Sequence, residues 1–118
     1  GPEERRLVDA NVLGFFTSKD AQGLIVVVEF RQPANISGFS SAQILGAVDA
    51  TGRSIASLAG ADAEIRRSGN DDPTGAMRIR LFVRGREAAE LSGDLLTITV
   101  QIGAATVRAR YDKALFSR

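Results

Sequence analysis

From residue 77 to 84 the chain alternates. Met77, Ile79, Leu81 and Val83 are apolar, and Arg78, Arg80, Phe82 and Arg84 stand between them. Side chains on a strand leave alternately to opposite faces, so this spacing predicts a strand that buries one face and presents arginines on the other. The alternation returns in 96–102, where Leu96, Ile98, Val100 and Ile102 share a face opposite Thr97, Thr99 and Gln101. Both runs are rich in β-branched residues, which suit a pleated, half-buried surface. Between them, Arg86, Glu87, Ala88, Ala89, Glu90 and Leu91 favour a short helical crossing stopped by Gly93, with Arg86 and Glu90 spaced to meet on it.

The same reading extends along the chain. In 7–16, Val8, Ala10, Val12, Gly14 and Phe16 fall on one face of a first strand. After a turn at 19–23, the continuous apolar run 24–30 predicts a central strand covered on both sides for most of its length. Residues 32–41 form a loop, within which Ile36 and Phe39 fold back onto the core. A weaker strand over 43–50 leads into Asp49-Ala50-Thr51-Gly52-Arg53, a hairpin signal with glycine where a positive φ is needed. Residues 54–58 alternate imperfectly, and 61–67 is a short strand or one helical turn. The stretch 68–75, Ser-Gly-Asn-Asp-Asp-Pro-Thr-Gly, is the most loop-like in the chain. The last strand spans 106–111, with Val107, Ala109 and Tyr111 inward and Arg108 and Arg110 outward.

Seven or eight short strands at this spacing predict an all-β fold, a two-sheet antiparallel sandwich with one short helical crossing; a small β-barrel is the alternative. The hairpin at 49–54 and the strand, crossing and strand over 77–102 carry a resemblance to the immunoglobulin-like modules of bacterial surface and secreted proteins. That resemblance implies a module in the periplasm or at the cell surface. A Cys–Trp–Cys core is excluded, since the chain has no Cys and no Trp.

Composition narrows the chemistry. The 118 residues are the length of one domain, taken as 7–118. Residues 1–6 are polar, and Gly1-Pro2 looks like the scar of a tag-cleaving protease. No apolar run is long enough for a membrane-spanning helix. With neither His nor Cys, the chain itself supplies no disulfide, thiol nucleophile, Cys or His zinc ligand, or Ser–His relay. No cofactor is expected. Fifteen basic against fourteen acidic residues leave a net charge of +1, too little for a sequence-independent pull on nucleic acid.

Asn70-Asp71-Asp72, with Asp62 and Glu64 nearby in sequence, offers oxygen ligands for calcium, but the spacing matches no EF-hand and a solvated turn explains it. No metal site is assigned. Nothing pairs Glu29, Glu87 or Glu90 into a catalytic cleft, and Glu29, interrupting an apolar run, is expected to meet an arginine or reach solvent. Asn35-Ile36-Ser37 matches a glycosylation triplet that is frequent by chance. The arginine faces remain. Arg78, Arg80, Phe82 and Arg84 on one strand and Arg108 and Arg110 on another would make a cationic, aromatic-bearing surface if those strands were neighbours; otherwise they form a wet face that keeps the sheet soluble. The expectation is a non-catalytic module that binds another protein, or spaces neighbouring domains of the same chain. Binding of a carbohydrate or other anionic polymer is the alternative.

Overall fold

The computed structural model describes residues 6–31, 36, 38–67, 77–91 and 95–112. Seven strands close into one barrel: β1 (Arg6–Ser18), β2 (Gly23–Phe30), β3 (Ser41–Val48), β4 (Asp62–Arg67), β5 (Met77–Arg84), β6 (Leu95–Ile102) and β7 (Ala105–Asp112). Around the wall the order is β1-β2-β5-β4-β3-β6-β7. All pairs are antiparallel except β1 and β7, which run parallel from Arg6↔Ala105 to Val12↔Tyr111. That parallel ladder is the seam that closes the wall.

The all-β expectation therefore holds, but the two-sheet sandwich gives way to its alternative, the barrel. Sandwich and barrel demand the same in–out alternation. They differ in whether the first and last strands pair, and alternation does not encode that.

Inside, side chains fill the barrel, as expected at this strand number. Val12, Leu24, Val26, Ile44, Leu58, Ile79, Leu81, Leu96, Ile98 and Ile102 are all at most 1% exposed. The inward faces read from 77–83, 96–102 and 107–111 belong to this core, with Met77 partly buried at its margin. The run 24–30 is buried on both faces only over its first half, and Val27 and Glu29 are half-buried.

The first strand departs from its expected facing. Pairing with β2 slips between Val12 and Gly14. A bulge there adds one residue and inverts the facing beyond it. Phe15 consequently packs against the core, edge-on to Tyr111 at 5.2 Å, while Phe16 is 45% exposed.

Two excursions finish the barrel. β4 pairs with β3 over only three residue pairs, Ser41↔Glu64 to Gln43↔Asp62. Residues 49–61 continue the ladder where β4 stops. Gly60 N–H donates to Ile44 O and Ile44 N–H to Ala61 O, each at 2.8 Å, and Ile55 N–H donates to Ala47 O at 2.9 Å. The residues from 54 to 58 are therefore not a strand, although Ser54 bridges to Val48 and Gly52 takes the expected positive φ of 85°. Leu58 from this excursion is fully buried. Of the segment 61–67, Asp62–Arg67 resolves as strand.

The second excursion crosses the barrel end from β5 to β6, carrying the 3-10 turn Ala88–Leu91. Thr17 Oγ1 accepts from Ala88 N–H at 2.8 Å at its start, and Leu91 is 1% exposed beneath it. The expected crossing exists, but it spans one barrel instead of joining two sheets. Arg86 Nε donates to Ser57 O at 2.7 Å, tying the two excursions together; the Glu90 side chain, expected to meet Arg86, lies outside what the structure describes.

Candidate functional site

The outward positions of β2, β5 and β4 lie in register. Glu29, Val27, Ile25 and Gly23 on β2 stand opposite Arg78, Arg80, Phe82 and Arg84 on β5. On the far side of β5, Glu64 faces Phe82 and Arg66 faces Arg80. Same-face neighbours along a strand are about 6.6–6.8 Å apart, so Arg78, Arg80 and Arg84 make a row along β5 with Phe82 set into it.

Each member has a different environment. Glu29 meets an arginine: its Oε2 accepts from Arg78 Nε at 2.6 Å. Arg66 Nε donates to Glu64 Oε1 at 3.0 Å. The Arg66 guanidinium also lies 4.2 Å above the Phe82 ring, and Arg84 is 5.6 Å from the same ring. Phe82 is therefore only 2% exposed, although its side chain leaves the outer face and takes no part in the barrel core. Ile25 beside it is 7% exposed. Arg80 is exposed and stands directly across from Arg66. Among the described residues neither Arg80 nor Arg84 has a carboxylate partner.

A shallow depression of about 380 Å³ adjoins Arg84 and is lined by Ser40, Ser41, Asp62, Glu64 and Phe82 among others. Another, of about 400 Å³, lies between β3 and β6, where Leu45 and Val48 turn outward beside Ile55, Thr97 and Thr99.

Arg108 and Arg110 do not join the β5 row. They sit on β7, whose neighbours are β1 and β6, so β1 and β2 separate them from β5. Three strand steps of about 4.8 Å put the two groups on the order of 14 Å apart around the wall. Arg108 lies 3.4 Å from Asp9 Oδ1. Arg110 stands opposite Asn11, whose Oδ1 already accepts from Arg31 at 2.9 and 3.1 Å. The condition under which all six residues would make one surface, adjacent strands, is not met.

Arg66 is the residue that the sequence pattern did not single out. Its only signal was its place in 61–67, which read equally as strand or helical turn. The calcium candidates Asp71 and Asp72 lie outside the described residues, as do Asn35 and Ser37 of the glycosylation triplet. Among the described residues, no three His, Cys, Asp or Glu side chains gather as metal ligands, and no helix is long and apolar enough to cross a membrane. Comparison with family models, with curated proteins and with solved structures finds no match.

Proposed function

We propose that the protein is a non-catalytic binding module whose outer β2–β5–β4 face engages another protein, or a neighbouring domain of its own chain. The observation that carries this reading is the placement of Arg80. It faces Arg66 across the ladder with no carboxylate of its own, between Arg78 and Arg84. Like charges directly opposite on a sheet are unfavourable. A surface kept soluble by charge alone is better served by alternating signs, so Arg80, the member of the pair without a carboxylate, is matched to an anionic group from outside.

The buried Phe82 favours a protein over a carbohydrate or a single-stranded polyanion. Sugars and bases stack on open aromatic faces, and this ring is already covered by Arg66 and Arg84. The absence of His and Cys from the sequence supports the non-catalytic part.

The test is affinity capture with the wild-type protein and an Arg80→Glu, Arg84→Glu variant of matched thermal stability, followed by identification of bound proteins. A partner retained by the first and lost from the second is expected. Identical captures from both would remove the face from consideration.

A further inference from the structure

We infer, building on the binding-face reading above, that this surface takes an extended acidic segment of a partner protein, with two carboxylates four positions apart, on the same face of the segment, falling on Arg80 and Arg84. Three observations lead there. The first is repeat length. Arg78, Arg80 and Arg84 leave the same face of β5, so Arg80 and Arg84 stand two same-face repeats apart, about 13 Å, the separation of residues i and i+4 in any extended chain. A segment laid along β5 keeps step with the row without bending.

The second is charge. Arg66 and Arg78 are already engaged by Glu64 and Glu29, which leaves Arg80 and Arg84 free to form new pairs. Two cations on a chain of net charge +1 make a weak long-range field, but each guanidinium can hold a carboxylate through two parallel hydrogen bonds. The arrangement suits two directional contacts and not a continuous polyanion, whose binding depends on neutralising many phosphates or sulfates.

The third is what surrounds the row. Asp62 and Glu64 line the depression beside Arg84. A uniformly anionic chain would meet both carboxylates there, whereas a protein segment can place a neutral or basic residue at that point. On the other flank, Phe16 is 45% exposed at the end of the cross-strand series Phe16, Ile25, Phe82, which offers one apolar contact next to the charged row. An apolar contact flanked by charge-assisted hydrogen bonds is a usual composition for a protein interface.

The experiment selects binders from a random peptide display library on the intact protein, then measures their affinities by fluorescence anisotropy. Selected peptides should carry a pair of Asp or Glu residues four positions apart. Arg80→Glu should weaken them at least about tenfold, the loss expected when a charge-assisted hydrogen-bonded contact is removed. Arg80→Gln should weaken them less, because it removes the charge without reversing it. Arg108→Glu, on the other side of the barrel, should leave them unchanged. Thermal melts of every variant establish that the fold is intact.

A heparin fragment and a single-stranded oligonucleotide are measured in parallel. Selected peptides without acidic residues, or acidic peptides indifferent to Arg80→Glu, would overturn the inference. If a polyanion bound through Arg80 and acidic peptides did not, the acidic-segment inference would fail while the binding face survived. If neither peptides nor polyanions responded to Arg80→Glu, both readings would fail.

Discussion

The Arg66 guanidinium lies 4.2 Å above the ring of Phe82, and this contact buries an aromatic side chain on the outside of a barrel. Phe82 is as hidden as most core residues, yet its cover is a charged side chain and not a second layer of structure. Phe82→Ala should therefore cost about 3 kcal/mol, the low end for a buried phenylalanine, since flexible arginines can settle into the space. Arg66→Ala should cost about 1 kcal/mol, combining the lost ring contact, the exposed ion pair and the uncovered ring. A double-mutant cycle by urea denaturation measures the coupling. Strict additivity of the two substitutions would mean that the stacking contributes nothing.

Gly23 explains how the ring fits. A methyl group there would stand 2.7 Å from Val83 O and would intrude on the Phe82 ring. Gly23→Ala should destabilise the barrel by about 1–3 kcal/mol, as overpacking does, and should move the ring off β2. Adding Phe82→Leu should recover part of the loss. A Gly23→Ala variant as stable as wild type would show that ring and strand separate freely.

How much of this was legible beforehand depends on the range of the interaction. Alternation in 77–84 and 96–102 is local, and it assigned those strands and their inward faces correctly. So was the arginine row on β5, and Glu29 was expected to meet an arginine or reach solvent from its place in an apolar run, the first of which the ladder with β5 provides. The bulge near Leu13 was only weakly legible: one inserted residue inverts Phe15 and Phe16, and its one local mark, Gly14, fits an inward strand position equally well. Closure rests on β1 against β7, a contact such as Asp9 with Arg108 that joins positions 99 apart in the chain. Periodicity carries no information about such pairings, so sandwich and barrel were equivalent on that ground. Arg66 escaped notice for the same reason, because its importance comes from standing beside Phe82, a neighbour set by the β4–β5 ladder.

Asp49 gives the hairpin an acid sensitivity. Its Oδ1 accepts from Thr51 Oγ1 at 2.7 Å, from Thr51 N–H at 2.9 Å and from Arg53 N–H at 3.0 Å. The Thr51 hydroxyl and then the Arg53 amide hold its carboxyl below the ordinary range. A depressed folded-state pKa means that the stabilisation is present above the unfolded value, about pH 4, and is lost as pH falls through the folded one. Asp49→Asn should show a smaller loss of stability than wild type on acidification below about pH 4. Parallel acid titrations of thermal stability check it. Identical acid branches would mean that these hydrogen bonds persist in the unfolded chain or do not favour the ionised form.

Arg80 allows stability and binding to be separated. Ile98 is fully buried on β6, and Ile98→Ala should cost roughly 2–5 kcal/mol by leaving a cavity in the barrel. Arg80 is exposed and faces a like charge. Arg80→Ala should therefore change stability by no more than about 0.5 kcal/mol. Arg80→Glu, which sets opposite charges across the β4–β5 ladder, should raise stability by about 0.5 kcal/mol at low ionic strength. That gain should shrink in molar salt, where the screening length falls to about 3 Å. Denaturant titrations of the three variants at low and high salt make the measurement. A functional surface held against its own electrostatics should gain stability when charge-reversed and lose its partner in the same step. A loss of stability in Arg80→Glu would instead make Arg80 a structural residue, and the argument that its unpaired charge awaits a ligand would fall with it.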